Sequence, residues 1–394
     1  MLHIDHLRGA LLLVFIALPS VALLERVMQV LFPHPDGMLS TLGSLLYLVC
    51  FSLIYPRMLR FLLQGEKVAF MFWCVLGIVF LAFMIVYPMH DSGMLGFYSD
   101  RDEALDIGAA RLLSLQDPYV CKAVSGVHSG CPVDGNPIAP LPGGLVLAAP
   151  FVLIFGLSAF QNFFWVSALF FQAKMSLHSG KHISALLLTL IFLNPVILAE
   201  ILSGGDHLAN TIAVSIGLLG MLTSSSPAKS VAWGCFLGIA CAWRAHFLLA
   251  AIPCFAFYVS RGCYSHILRV GGAAAVTFLA LVLPLFLFNS SEFSPLQTQT
   301  KLEAFSHLLP HPTFWASVSA VSFGLWAGWQ AQTLSSLLVA IGLTINIPIL
   351  AAVILNSLDV GVVTLSFYGW YLICGSLIAA LGYSAAMVEE STSA

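Results

Sequence analysis

A cluster of charged residues near position 100 has the side chains needed for acid–base chemistry. Five charged residues fall within seven positions of a chain that is 59% hydrophobic and only 8% charged: Asp100, Arg101, Asp102, Glu103 and Asp106. They belong to the stretch SDRDEALDIGAARLLSLQDPY, residues 99–119. An ionised carboxylate within hydrogen-bond reach of a hydroxyl group can take its proton as a general base. We therefore expect one carboxylate of this cluster to be a candidate catalytic base.

The same cluster has two other interpretations. Asp100 and Asp102 form a D-x-D pattern of the kind found at metal sites, but the pattern is short, and we expect no metal and no other cofactor. Apolar residues at positions 105, 109, 112 and 113 recur at the spacing of a helix that Asp102 could begin. In that case Asp102 and Asp106 cap and solvate a surface helix, because carboxylates stabilise helix N termini. The residues alone leave these interpretations open.

A second candidate group is Arg244 with His246, in the middle of the apolar run 230–259. A single span would place Arg244 at mid-bilayer, where a charged side chain costs about 2.5 kcal/mol or more. Two half-helices that meet near the outer face avoid this penalty, so we expect a broken helix pair. Arg244 at its tip could bind a phosphate through two hydrogen bonds, or it could be a snorkelling or ion-paired residue. His246 is either a further phosphate ligand or a satisfied polar residue.

A third candidate is the segment SGGDHLAN, residues 203–210. Its two glycines permit a tight turn, and Asp206 and His207 follow that turn directly. We expect both side chains to face the same cavity as the acidic cluster, with a plain turn as the other interpretation. The chain contains no nucleophile elbow, P-loop, dinucleotide fingerprint, H-E-x-x-H or paired C-x-x-C motif.

The elements that position these residues are membrane spans. Soluble proteins carry about 25% charged residues, whereas here apolar runs of about 20 residues recur from end to end. Because backbone groups in lipid must bond within their own segment, such runs form helices. The sequence predicts an all-α polytopic membrane protein with about 11–12 transmembrane helices in a single domain, 1–394. The candidate spans are 10–32, 39–56, 68–88, 159–176, 183–202, 207–222, 230–259, 267–288, 313–330, 333–355 and 360–383.

Basic residues predict the orientation of these spans, because they collect on the cytoplasmic side. The basic positions 8, 57, 60, 67, 174, 181, 229, 261 and 269 share one side if the run 230–259 crosses twice. Both termini are then cytoplasmic, and the loop at about 88–142 faces outward with the acidic cluster. Cys121 and Cys131 lie in this loop and can form a disulfide in an oxidising compartment. The short apolar segment 143–155 is expected at the membrane interface, and no basic run indicates nucleic acid binding.

Segments between residues 88 and 260 resemble, in order, the GT-C glycosyltransferases, multispanning enzymes that take sugars from polyprenyl-phosphate carriers. DEALDIGAARLL is similar to the D-E-x-x-Y-x-x-x-A-x-x-L pattern of the protein mannosyltransferase and aminoarabinose transferase branch. LLSLQDPY and NPIAPLPGG resemble the polyprenol-phosphate mannosyltransferase branch, as do LNPVILAEILSGGDHLANTIAV and GCFLGIACAWRAHFLLAAIP. Three family positions differ. Asp106 or a neighbour replaces a tyrosine, Asp206 replaces a glutamine, and Arg244 replaces a lysine.

The resemblance implies an inverting glycosyltransferase that moves a mannose-like hexose or pentose from a polyprenyl-phosphate donor to a glycan, lipid or protein acceptor. It makes Asp102 the catalytic base, with Glu103 beside it and Asp100 as the main alternative. Arg244 and His246 would hold the donor phosphate. Further substrate-binding residues are expected in the matching motifs: Asp206, His207, Asp117, Tyr119 and Asn136. The site would lie at the periplasmic face of a bacterial inner membrane, with the lipid bilayer as a partner.

Two other function classes fit parts of the sequence. A transporter or flippase would also use broken helices and intramembrane charge, although the apolar runs hold few charges beyond Arg244 and no inverted repeat is visible. A non-catalytic assembly subunit could bind a partner through the acidic loop. Such a subunit would not require the ordered series of loop, Pro-rich segment, turn and Arg-bearing half-helix.

Overall fold

The protein is helical over most of its length. The computed structural model describes residues 2–31, 37–95, 100–120, 122–124, 127–129, 131–132, 135–177, 180–295, 300–365 and 368–393. A short antiparallel hairpin, Lys122–Val124 with Val127–Ser129, lies in the first large loop. The α-helices of the described ranges are α1 Leu2–Leu31, α2 Gly37–Gln64, α3 Val68–Asp91, α4 Arg101–Leu113, α5 Pro142–Phe155, α6 Gln161–Leu177, α7 Gly180–Leu193, α8 Pro195–Leu202, α9 Asp206–Thr223, α10 Pro227–Cys241, α11 Ala251–Ser260, α12 Tyr264–Phe288, α13 Thr300–Glu303, α14 Pro312–Gln330, α15 Leu334–Val360 and α16 Ile373–Ser393.

Six of the described helices are long and apolar enough to cross a bilayer, which confirms an all-α polytopic membrane protein. Two bent helix pairs raise this number to eight if each pair forms one span. The predicted number of 11–12 is higher, because several apolar runs fold as shorter or bent helices. The six segments are Arg8–Met28, Thr41–Gln64, Val68–Asp91, Tyr264–Phe288, Leu334–Val360 and Gly369–Met387.

The predicted span 183–202 is not a continuous helix. It is divided at Asn194 into α7 and α8, which meet at an angle of 89°. Pro195, at the first position of α8, has no N–H to continue the hydrogen-bond pattern of α7. The Nδ2 of Asn194 instead donates to the carbonyl oxygen of Ile16 in α1, at 3.1 Å. The bend carries Glu200, in α8, back into the interior of the helix bundle.

The predicted helix pair at 230–259 is indeed broken. The first helix, α10, ends at Cys241, and a 3-10 helix over Ala245–Ala250 leads into α11. Arg244 lies between them with an extended backbone, at φ −139° and ψ 130°. The arginine is therefore at the junction of two short helices rather than inside one long helix.

The beginning of α5 packs directly on the end of α10. The N–H of Leu141 donates to the carbonyl of Trp243 at 2.9 Å, and the N–H of Gly143 donates to the carbonyl of Ala242 at 2.6 Å. A Cβ at Gly143 would overlap the carbonyl oxygen of Ile239, so this close approach requires glycine. The contact anchors the end of the first large loop beside the break between α10 and α11.

The first large loop contains one member of the expected disulfide. Cys131 is disulfide-bonded, whereas the expected partner, Cys121, lies outside the described residues. The apolar segment after this loop, predicted to be interfacial, is α5, and it forms a bent pair of 107° with Ser158–Ser176. The bend is formed at Gly156, whose φ of 77° lies in the left-handed region that favours glycine.

The last two long helices interlock tightly through small residues. A Cβ at Gly375 in α16 would overlap the carbonyl oxygen of Gly342 in α15. Asn346 bridges the same pair, because its Nδ2 donates to the carbonyl of Leu372 at 2.7 Å and its Oδ1 accepts from the N–H of Gly375 at 3.0 Å. These contacts fix the 3-10 helix Gly369–Leu372, which carries two aromatic side chains into the site described next.

Candidate active site

Asp102 lies inside the protein, in the first turn of α4. It is only 3% exposed, and the Tyr87 hydroxyl of α3 donates to its Oδ2 at 2.8 Å. The turn at Gly204 packs against the same oxygen, since a Cβ at Gly204 would lie 3.3 Å from it. The N-cap position of α4 is Asp100, and its side chain makes no capping hydrogen bond. The interpretation of Asp102 as a solvated helix cap is therefore wrong.

Burial brings the pKa of the Asp102 carboxyl group close to neutral pH. Loss of hydration raises its pKa to about 7, against the hydrogen bond from Tyr87, which lowers it. The nearby negative charges of Asp106 and Asp91 raise the pKa further. A general base is most effective when its pKa is close to the working pH. Among the carboxylates predicted as candidates, Asp102 has the environment of a base.

A second buried acid, Glu200 of α8, lies on the other side of the turn. Its Oε1 is 2.8 Å from Nη1 of Arg101, and the indole N–H of Trp370 donates to the same oxygen. The N–H of Leu208 donates to Oε2 at 3.2 Å. The Arg101 guanidinium also lies over the Trp370 ring, 5.4 Å from its centroid. The ion pair thus joins α4 and α8 to the 3-10 helix near the C terminus.

Sequence reasoning missed Glu200 and the partner role of Arg101. The signal was present, since Glu200 is a lone charge within the apolar run LNPVILAEIL. An ionisable residue in a membrane-embedded run marks a functional or paired position by default. The partner could not be read from the sequence, because Arg101 lies in a helix, α4, that is distant in the chain.

Asp206 and Arg244 form a buried ion pair. Nε and Nη2 of Arg244 donate to Oδ2 of Asp206 at 3.1 and 2.5 Å. Arg244 is 8% exposed and Asp206 is fully buried, so Arg244 does not snorkel to the surface. Oδ1 of Asp206 accepts no hydrogen bond from the described part of the chain. Asp206, predicted to bind substrate, is thus placed first of all to orient the Arg244 guanidinium.

His207 is buried close to the guanidinium groups of Arg101 and Arg244. It is 1% exposed, its ring lies 4.4 Å from the ring of Tyr371, and its Nδ1 is 3.4 Å from Oδ1 of Asp206. Neither ring nitrogen has a hydrogen-bond partner among the residues that the structure describes. A buried polar group without a partner calls for a bound water, ion or ligand. Four basic side chains interact electrostatically with this ring: Arg101, Arg244, His246 and Lys301.

The turn Ser203–Gly205 separates Asp102 from this basic cluster and fits tightly between the two acids. Gly204 has a φ of 73°, in the region that favours glycine. A Cβ at Gly205 would lie 2.6 Å from Oε2 of Glu200, so no larger residue fits there. The predicted tight turn is present, with the Asp102 carboxyl group on one side and the Arg101–Glu200 ion pair on the other.

The alternative bases lie in different surroundings. Asp100 is partly exposed, and its Oδ2 accepts a hydrogen bond from Nδ2 of Asn136 at 2.8 Å. This bond ties the start of α4 to the Pro-rich segment. Glu103 is likewise partly exposed on α4. Asn136, predicted to bind substrate, is placed to hold the loop together through Asp100.

Asp117 and Tyr119 also hold the first large loop together. Asp117 accepts hydrogen bonds from the N–H of Tyr119 at 2.9 Å and from Nδ2 of Asn289 at 3.1 Å. The Tyr119 hydroxyl donates to the carbonyl of Pro140 at 3.0 Å and is buried. Neither residue makes a described contact with Arg101, Arg244 or His207, and the bond to Asn289 joins the first large loop to the segment after α12.

The D-x-D pattern does not converge on one point. Asp100 bonds to Asn136, whereas Asp102 turns inward to Tyr87. Within the described ranges, no group of three or more His, Cys, Asp and Glu side chains is arranged to hold a metal ion. The geometry of these two acids therefore favours separate roles over shared metal ligation.

Comparisons with protein-family models, curated proteins and solved structures found no match. The chemistry of the site is therefore inferred from the buried groups themselves. These groups are a carboxyl group with a pKa of about 7, two guanidinium–carboxylate pairs, and a histidine whose ring nitrogens have no described hydrogen-bond partner. Such a set can remove a proton at one point and stabilise negative charge at another.

Proposed function

We propose that this protein is a membrane glycosyltransferase of the GT-C type. It transfers a sugar from a polyprenyl-phosphate carrier to a hydroxyl group of a glycan, lipid or protein acceptor. The observation that carries this proposal is the position of Asp102 across one glycine turn from the guanidinium groups of Arg101 and Arg244 and the ring of His207. Displacement at an anomeric carbon needs a base for the attacking hydroxyl and positive charge for the leaving phosphate, and these two needs are met side by side.

In the proposed reaction, ionised Asp102 takes the proton of the acceptor hydroxyl. The hydroxyl oxygen attacks the anomeric carbon, and the bond from that carbon to the phosphate oxygen breaks with inversion. The phosphate keeps the bonding electrons and gains negative charge, which Arg244 and the ring N–H of His207 stabilise. Preorganised donors in a site that excludes water give large rate effects, and the Asp206 carboxylate keeps the Arg244 guanidinium in place.

The surroundings of the site support an outward-facing, lipid-linked reaction. Long apolar helices flank it, and a polyprenyl chain of the donor can remain in the bilayer beside them. The disulfide at Cys131 supports an oxidising compartment for the first large loop. In a bacterium this compartment is the periplasm, and the protein is then a multi-pass component of the inner membrane.

The test uses purified protein in lipid nanodiscs, radiolabelled polyprenyl-phosphate mannose as the donor and lipid extract as the acceptor. A second assay replaces the mannose donor with a polyprenyl-phosphate pentose. Wild-type protein is expected to form labelled product and free polyprenyl phosphate. Asp102→Asn is expected to lower kcat about 10²–10⁴-fold, the usual effect of losing a general base, with donor affinity unchanged. Arg244→Ala is expected to weaken donor binding about 10–100-fold, since a hydrogen bond to a charged group contributes about 1.5–3 kcal/mol.

Asp359→Asn is the matched control, because Asp359 is exposed and bonds only to exposed His307 at 2.7 Å among the described contacts. Transfer by Asp102→Asn at the wild-type rate would remove Asp102 from the mechanism. Movement of the labelled lipid across proteoliposomes, without any glycosidic product and independent of Asp102, would favour the flippase alternative instead.

A further inference from the structure

The proton that Asp102 accepts must leave before the next turnover. Asp102 is 3% exposed, so water does not reach it freely. Its nearest described polar partner is the Tyr87 hydroxyl, which already donates to Oδ2 and is itself buried at 6% exposure. Tyr87 therefore positions the carboxylate but provides no path for a proton to solvent. Another group has to connect Asp102 to water.

Asp106 has the right position for that connection. It lies four residues after Asp102 on the same helix, where side chains at i and i+4 are neighbours, with Cβ atoms about 5–6 Å apart. Unlike Asp102, Asp106 is only partly buried. One of its oxygens, Oδ1, accepts the N–H of Ser158 at 2.6 Å. That hydrogen bond and an interaction with the Ser158 hydroxyl orient the carboxyl group.

Ser158 links the two acids from the opposite side. Its hydroxyl donates to the backbone carbonyl of Asp102 at 3.3 Å, while its N–H holds Asp106. Ser158 is fully buried at the bend between α5 and α6. The three residues form one local unit, with Asp102 at its inner end and Asp106 at its outer end.

We infer that Asp106 is a relay residue that receives the proton from Asp102 and passes it to solvent. The inference rests on the proposed function, in which Asp102 is the base. The proton moves from the acceptor hydroxyl to Asp102, then through one bridging water to Asp106, and finally to bulk water as hydronium. No electron transfer and no further reactant are involved, and both aspartates return to their starting charge.

The electrostatic surroundings fit a relay. Burial raises the pKa of Asp106 to about 6, against the hydrogen bonds from Ser158, and the charges of Asp91 and Glu103 raise it further. The pKa of Asp102 is about 7. The equilibrium for proton transfer from Asp102 to Asp106 is therefore unfavourable by only about tenfold. The charged groups that face Asp106 are Asp91 at the end of α3 and Asp102 and Glu103 on α4. These negative charges favour arrival of a proton at Asp106.

The test variant is Asp106→Asn, because an asparagine oxygen still accepts the N–H of Ser158 while the carboxyl group is lost. At pH 8 and low buffer concentration, the single-turnover rate of sugar transfer is expected to stay within about threefold of wild type. The steady-state kcat is expected to fall at least tenfold, so that product forms in a burst followed by a slow phase. Asp106→Glu and added imidazole, a small proton carrier, are expected to restore the steady-state rate at least in part.

A purely structural role would lower both rates together and would not respond to imidazole, and this outcome would overturn the relay. Equal single-turnover and steady-state rates in Asp106→Asn would overturn it as well. Absence of any sugar transfer by wild-type protein would instead overturn the proposed function itself. The two failures are therefore distinguished by the wild-type measurement.

Discussion

The hydrogen bond from Tyr87 to Asp102 gives a prediction whose size follows from the structure. The Tyr87 hydroxyl donates to Oδ2 of Asp102 at 2.8 Å inside the protein. A hydrogen bond to a charged group contributes about 1.5–3 kcal/mol, and one pKa unit corresponds to about 1.36 kcal/mol. Tyr87→Phe removes a bond that favours the ionised carboxylate. The pKa of Asp102 is therefore expected to rise from about 7 by about one to two units.

The expected effect on activity depends on pH in a defined direction. The base works when ionised, so kcat/KM increases as the pH rises through the pKa of Asp102. At pH 7 the ionised fraction would fall from about one half to about 1–10%, which lowers kcat/KM about 5–50-fold. Above about pH 9 the variant should approach wild-type activity, because Asp102 is then largely ionised in both proteins. The assay is sugar transfer from polyprenyl-phosphate mannose between pH 5 and pH 10.

Tyr55→Phe is the matched control for this substitution. Tyr55 in α2 is also fully buried, but its hydroxyl has no hydrogen-bond partner in the described part of the chain. The control should leave the pH midpoint unchanged. If Tyr87→Phe lowers kcat/KM equally at every pH, or leaves the profile unchanged, then Tyr87 does not tune Asp102 and the reasoning is refuted.

Three further predictions concern the ion pairs and the carboxyl groups. Glu200→Gln should destabilise the protein by about 3–5 kcal/mol, as expected when one partner of a buried pair is lost and Arg101 remains charged; a rise in midpoint temperature on thermal unfolding would contradict this. Asp206→Asn should raise the donor Kd about tenfold or more by releasing Arg244, measured by binding of polyprenyl phosphate, and an unchanged Kd would mean that Arg244 needs no orientation. Because the folded-state pKa of Asp102 is raised to about 7 from about 3.9 in unfolded chains, stability should fall between about pH 4 and pH 7 and level off above. Asp102→Asn should flatten that decline, and an equally steep decline would assign it to other groups.

Much of the fold was predictable because the lipid solvent restricts the choices. Apolar runs of about 20 residues must become helices in a bilayer, so the helical class and many approximate boundaries follow from composition. The break near Arg244 was predicted for the same reason, since a charge at mid-bilayer is unfavourable. The bend at Asn194 was missed, although Pro195 marked it, because the surrounding residues are uniformly apolar.

The candidate site was predictable only as a set of separate pieces. The acidic stretch, the glycine turn and Arg244 each carried a local signal of charge or backbone freedom. Their pairing was not visible in the sequence. Asp206 and Arg244 are separated by 38 residues, and Arg101 and Glu200 lie in two different helices, α4 and α8. Sequence reasoning consequently gave Asp206 a substrate-binding role, whereas the structure places it as the partner of Arg244.

The sequence by itself determined that the chain is a polytopic helical membrane protein and that its charges are concentrated in a few segments. These properties depend on hydropathy and local spacing, which each segment carries independently of the others. Only the tertiary structure decided which carboxyl is buried. Asp100, Asp102 and Glu103 are equivalent in composition, but α3 and the turn at Gly204 cover Asp102 alone. Burial, not residue type, raises its pKa toward neutrality, and burial is a property of packing between distant segments.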